Sequence, residues 1–225
     1  MSKTQNRKRA GADNYPTPLW AIRRFFEALD WDQSGGARWL EPAVGEGSIV
    51  SVANEFVPGI EWDVCDLRDV RPYMVRCGVP EKRVTVGDFL DNTFGPDTFD
   101  VVIMNPPFNR LAQFINEATR VARTVICFQS LNMLGSDDRV EWMKTHVPDT
   151  YVLPNRVSHT GDGKTDSVYA AWFVWPDTRQ LNRAGTLRVL DSTLLSERKR
   201  DASRVSRARD SRSQVLDSLF YEALR

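Results

Sequence analysis

Short apolar runs alternate with amphipathic stretches along most of this chain, and several of the runs stop at polar residues of an unusual kind. Arg38-Trp39-Leu40 runs into Glu41-Pro42-Ala43-Val44-Gly45-Glu46-Gly47. Glu61–Cys65 ends at Asp66, and Arg83–Val86 ends at Gly87-Asp88-Phe89. Phe99–Met104, with Val101, Val102 and Ile103 at its centre, ends at Asn105-Pro106-Pro107-Phe108. Thr124–Phe128, Thr150–Leu153 and Val168–Trp175 read as three further strands. Helical spacing of apolar residues predicts helices over Pro18–Leu29, with Thr17 as the cap, and over Ser48–Phe56, Leu111–Ala122 and Asp137–His146. Gln214–Leu224 reads as a closing helix. Strands alternating with helices imply an α/β fold with a mostly parallel, seven-stranded sheet and helices on both faces. Ligands of such sheets bind beyond the carboxyl ends of the strands, so Glu41, Asp66, Asp88 and Asn105 are expected on one rim.

The chain has 225 residues, 41% hydrophobic and 27% charged, enough for one domain with its own core and too apolar for disorder throughout. No apolar stretch approaches the roughly 20 residues that span a bilayer. The basic start has no apolar run behind it, so no signal peptide is expected and cytoplasmic residence is the default. Cys65, Cys77 and Cys127 are widely spaced, which argues against a disulfide framework or a metal site. Net charge is zero but unevenly spread. Residues 1–12 carry four cations and no acid, residues 196–213 seven cations against three acids, and the body between carries the balancing negative charge. These ends read either as arms that reach a polyanion or as solvated termini.

Each strand end has its own chemistry. Gly45 and Gly47 permit a tight turn and close approach of a ligand, but no third glycine follows, so this is not the dinucleotide fingerprint. Glu41 at the strand end repels a pyrophosphate and suits a cationic ligand or an amine. Asp66, about 20 residues on, stands where nucleotide-binding sheets place the acid for ribose hydroxyls. Asp88 offers an acceptor to an adenine amine, with Phe89 as a ring to pack on it. In Asn105-Pro106-Pro107-Phe108 two prolines stiffen the backbone just past a buried strand. The Asn105 amide and the Pro106 carbonyl become fixed acceptors beside the planar face of Phe108, a geometry that fits a planar ring with an exocyclic amine. The polar segment Pro154–Ser167 joins the last two strands, and Arg156, His159 and Lys164 in it are candidates for contact with a nucleic-acid substrate; a plain hairpin loop reads equally well.

The succession of Asp13-Asn14-Tyr15-Pro16-Thr17-Pro18, Glu41–Gly47, Asp66, Gly87-Asp88-Phe89-Leu90 and Asn105–Phe108 resembles S-adenosylmethionine-dependent DNA adenine-N6 methyltransferases, most of all the small members found in bacteriophages and prophages. The resemblance runs from about Asp13 to Trp175. It implies a Rossmann-like methyltransferase fold, S-adenosylmethionine as cofactor, no metal, and DNA as partner. It maps Asn105, Pro106, Pro107 and Phe108 onto the catalytic motif. Glu41, Pro42, Gly45 and Gly47 fall on the Gly-rich cofactor motif, and Tyr15 and Thr17 on the amino-terminal cofactor motif; Asp66, Asp88 and Phe89 complete the cofactor set. It divides the chain into a basic arm (1–12), a methyltransferase domain (13–195) and an Arg/Ser-rich tail (196–225). No large target-recognition domain is visible. The motif set also admits methyl transfer to RNA or to a protein glutamine, and a catalytically silent nucleic-acid-binding scaffold.

Overall fold

The computed structural model describes residues 16–29, 37–135, 139–157, 169–201 and 203. Eight strands form one sheet: β1 (Arg38–Pro42), β2 (Glu61–Asp66), β3 (Val84–Val86), β4 (Phe99–Met104), β5 (Ala122–Ser130), β6 (Asp149–Val152), β7 (Ala170–Trp175) and β8 (Leu187–Val189). Their spatial order is β3-β2-β1-β4-β5-β7-β6-β8. β7 runs antiparallel to both neighbours, and every other pairing is parallel. The sheet therefore has one strand more than the seven expected. β8 is too short and too polar in its surroundings to register as a strand by pattern; it is defined by its parallel pairing with β6, Tyr151 opposite Arg188.

The helices are α1 (Leu19–Glu27), α2 (Ser48–Phe56), α3 (Arg71–Met74), α4 (Leu111–Val121) and α5 (Val140–Thr145). One face of the sheet buries α1, α2 and Met74 of α3 against Trp39, Val64, Ile126, Phe128 and Trp172. Phe25 stacks on Trp172 at 4.6 Å, and Trp172 Nε1 donates to the Ala21 carbonyl, so α1 is pinned across the middle of the sheet. The other face buries Phe114, Ile115 and Ala118 of α4 against Leu40, Val102, Met104, Cys127 and Phe173. Each fully buried ring or aliphatic side chain contributes about 1.5–3 kcal/mol, which is why the apolar strand runs were legible. The α5 helix covers Val140–Thr145; residues 136–138, where the expected helix Asp137–His146 starts, lie outside the described residues, as does the expected helix 214–224. Residues 195–201 are helical and tie back to α1 through Arg24–Glu197 and Arg23–Asp201 ion pairs. No helix among the described residues is long and apolar enough to cross a membrane.

Chain order leaps from β3 at one edge to β4 beside β1. The loops leaving β1 and β4 therefore diverge to opposite sides and open a crevice at their carboxyl ends, the position at which α/β sheets take ligands.

Candidate active site

The β1–α2 loop turns on three left-handed residues, Ala43 (φ 62°), Gly45 (φ 57°) and Gly47 (φ 77°). Two of them are glycine, for which this conformation is nearly free, while Ala43 stores about 1–2 kcal/mol of strain. The loop is fastened to β2: Val44 N–H donates to the Cys65 carbonyl at 3.0 Å, and Gly45 N–H to Asp66 Oδ2 at 2.8 Å. This fastening shapes a cleft of about 270 Å³ at the β1–β4 crevice.

Thr17, Glu41, Gly45, Asp66, Asp88, Phe89, Asn105, Pro106, Pro107 and Phe108 all line that cleft. Pro42 and Gly47 do not. Gly47 turns away toward α3, where a Cβ on it would lie 2.5 Å from Met74 Cε. Tyr15, His159 and Lys164 lie outside the described residues, and Arg156 sits farther along the rim, past the end of β6.

Glu41 is 3% exposed. It accepts from the Val50 N–H in the first turn of α2, whose N-cap residue, Gly47, has no side chain to do so. Its Oε2 is buried without a hydrogen-bond partner. Burial pushes its carboxyl well above the usual carboxylate range; the Val50 amide opposes this and the Asp66 charge adds to it. An orphaned buried acid facing a cleft is completed by a donor or a cation from a ligand. Asp66 differs. Burial works to raise its carboxyl, but Arg68 and the amides of Arg68 and Gly45 outweigh that and hold it below the ordinary value. Its Oδ1 accepts from Arg68 N–H and Nε, and its Oδ2 from Gly45 N–H and Arg68 Nη2. These bonds fill the roughly four lone-pair sites of a carboxylate, so a hydroxyl reaches Asp66 only by exchange with Arg68.

Asp88 shows the same balance. Burial is overcome by the Leu90 amide and by Arg110, whose Nη1 lies 2.6 Å from Asp88 Oδ2. Arg110 was not singled out by sequence. It stands three residues past Pro107, in the turn of 3-10 helix Phe108–Arg110, and so ties the proline loop to the end of β3. Its only signal in the sequence is that spacing. Phe89 is buried against Phe114, with ring centroids 5.3 Å apart. The Cys65 thiol is pushed up to about 12 by burial and by Asp66 and Asp88, which leaves it protonated and without nucleophilic strength at neutral pH.

Thr17 does not cap α1. The N-cap position is Pro18, in an extended conformation and with no side-chain hydrogen bond. The Thr17 hydroxyl, 4% exposed, instead accepts from Asn105 Nδ2 at 3.0 Å. This bond fixes the plane of the Asn105 amide, so Oδ1 lies on the edge opposite Thr17. Beside it Phe108 is 41% exposed, an aromatic face at the mouth of the cleft.

The sequence matches no family model and no curated protein. Among solved structures it is similar to the type I restriction-modification methyltransferase subunit of Streptococcus thermophilus, with a TM-score of 0.61 and 16% identity over 88% of this chain and 53% of that one. The chain thus spans about half the length of that subunit. It is also similar to a protein of Listeria monocytogenes assigned to the class I S-adenosylmethionine-dependent methyltransferases, with a TM-score of 0.57 and 16% identity over 84% of this chain and 71% of that one. The 23S rRNA methyltransferase ErmE gives a TM-score of 0.55 and 14% identity over 76% of this chain and 73% of that one. Strand order, crevice and these likenesses agree on the architecture: the chain has the class I methyltransferase fold.

Proposed function

We propose that this protein transfers a methyl group from S-adenosylmethionine to the N6 amine of adenine in DNA. The observation that carries the reading is the Asn105–Phe108 segment: an amide oriented by a buried hydroxyl, two prolines and an exposed ring, in one cleft with three acids at neighbouring strand ends. The residues fit the cofactor. The unpartnered Oε2 of Glu41 suits its cationic end, the exchange of Arg68 at Asp66 suits its ribose hydroxyls, and Asp88 with Phe89 suits its adenine. When bound, S-adenosylmethionine supplies an electrophilic methyl group.

The chain's own part is to hold and polarise the amine. An adenine amine delocalises its lone pair into the ring and is a weak nucleophile. Two acceptors, Asn105 Oδ1 and the Pro106 carbonyl, take its two hydrogens and favour the pyramidal form in which the lone pair is localised. Asn105 is an amide and no base, so the methylated amine passes its proton to water after transfer. Duplex adenine reaches this cleft only when flipped out, at a cost of a few kcal/mol. Stacking on Phe108 returns about 1–3 kcal/mol of it.

The test is purified protein with labelled S-adenosylmethionine and unmethylated genomic DNA, followed by nucleoside mass spectrometry. Expected is N6-methyladenine with the wild type and none with Asn105→Ala, while Asn105→Ala still binds the cofactor. Label appearing in RNA or protein and not in DNA overturns the choice of substrate. Near-normal turnover by Asn105→Ala overturns the mechanism.

A further inference from the structure

We propose that the stretch of rim from β4 across β5 and β7 to β6 receives the DNA backbone, with Arg156, seated on the Tyr169 ring, and Arg139 as its phosphate contacts. The inference rests on the DNA reading above and adds to it the direction in which the nucleic acid leaves the cleft.

The carboxyl rim divides by charge pairing. The two arginines that line the cleft each have a carboxylate of their own, Arg68 with Asp66 at 3.0 Å and Arg110 with Asp88 at 2.6 Å, and Arg71, just past β2, pairs with Asp69 at 2.6 Å. A paired cation presents little field to an approaching polyanion. On the other side the topology brings different residues to the same rim. β7 is antiparallel to β5 and to β6, so the start of β7 meets the ends of both, with Ala171 opposite Gln129 and Val152. Tyr169, just before β7, and Arg156, just after β6, therefore share one corner. The Arg156 guanidinium lies over the Tyr169 ring, 5.1 Å from its centroid. Arg139 stands at the start of α5, on the segment that leaves β5, with Nε donating to the Met133 carbonyl at 3.3 Å. Neither arginine has a carboxylate partner among the described residues.

The manner of holding matters. A carboxylate fixes an arginine by cancelling its charge. An aromatic face fixes it and leaves the charge and most of its N–H donors available for a phosphate. Arg156 is exposed and Tyr169 is 42% exposed, so the pair is built at the surface rather than into the core. From β4 to β6 is three strand spacings, about 14 Å, or roughly four base-pair steps of B-form rise. With adenine at Asn105, the two cations stand where the flanking phosphates on one side of the target pass.

The experiment is a fluorescence-anisotropy titration of the full chain with a labelled unmethylated DNA duplex over a range of salt. Arg139→Ala/Arg156→Ala is expected to weaken binding and to lower the slope of log K against log salt by about two, one per cation. Arg71→Ala, on the paired side, is expected to leave affinity and slope as in the wild type. Tyr169→Phe keeps the ring and is expected to bind normally, whereas Tyr169→Leu is expected to shift affinity in the direction of Arg156→Gln. A double variant with a wild-type melting transition and a wild-type slope overturns the proposal, as does an equal loss from Arg71→Ala. If the wild type binds and methylates DNA while the double variant binds equally well, only this inference fails. If the wild type binds no duplex and methylates another acceptor, the DNA reading fails and takes this inference with it.

Discussion

Replacing Thr17 by valine removes one oxygen and nearly preserves side-chain shape, in a residue that is almost fully buried. What is lost is the acceptor for Asn105 Nδ2 at 3.0 Å. A neutral hydrogen bond of this kind contributes about 0.5–1.5 kcal/mol, and its loss costs a partly buried amide about that much. The Asn105 amide relieves that cost by rotating or flipping toward other partners, which takes Oδ1 away from the substrate amine. If the productive orientation falls behind by about 1.4 kcal/mol, methyl transfer slows about tenfold. Single-turnover transfer with labelled cofactor reads this directly, and cofactor titration by calorimetry reads the alternative in which Thr17 serves the cofactor. The expected result for Thr17→Val is kcat lowered about tenfold with cofactor Kd within about twofold, and restoration by Thr17→Ser, whose hydroxyl occupies the same place. Unchanged turnover, or a weakened cofactor Kd with normal turnover, refutes the positioning role.

Three further outcomes are expected. The raised Glu41 carboxyl binds its proton more tightly in the folded than in the unfolded chain, so its contribution to stability is present at low pH and is lost as pH rises from the ordinary glutamate range through the raised value. Glu41→Gln should flatten that decline in urea titrations, and should also abolish the proton release and the tightening with rising pH that accompany binding of a cationic cofactor. Arg110→Ala frees the Asp88 carboxylate and unfastens the proline loop; cofactor Kd should weaken and turnover drop several-fold, and Asp88→Asn/Arg110→Ala should fall no further in either than Asp88→Asn alone if the ion pair acts as a unit. Gly47→Ala forces a side chain into a left-handed conformation against Met74, which should cost about 1–2 kcal/mol and lower Tm by roughly 2–8 °C in calorimetry, with cofactor affinity of the folded protein unchanged because Gly47 does not line the cleft.

How much of this was legible in the sequence depends on the kind of signal. Phe99–Met104 and Ser48–Phe56 match their predicted bounds because a six-residue apolar run and a helical stripe report burial, and burial decides those elements. The convergence of Glu41, Asp66, Asp88 and Asn105 followed from one rule about parallel sheets, and all four line the cleft. Thr17 reads as a helix cap by sequence because capping is a local pattern, whereas its partner in the fold, Asn105, is 88 residues away. Gly45 and Gly47 come together by their spacing and by the Gly-rich motif; neither signal says that Gly45 lines the cleft while Gly47 faces Met74. Arg110 carries only its spacing from Pro107, and Tyr169 no local pattern at all. Their significance comes from ring and carboxylate partners that only the fold assembles.

The two ends of the sheet have a consequence for how the protein behaves in solution at high concentration. β3 and β8 are its outermost strands, and each is three residues long. An edge strand offers unpaired amides and carbonyls to any other extended chain, and the offer grows with its length. Here the long strands, β5 above all, are enclosed, and the borders are short. Leu187 and Val189 of β8 are exposed, so an extension of β8 into a longer strand would give an apolar row with a free backbone beside it, the combination that nucleates aggregation. Brevity at both borders is thus a solubility device, one that leaves the opposite demand, a stiff and deeply hydrogen-bonded centre beneath the cleft, unaffected.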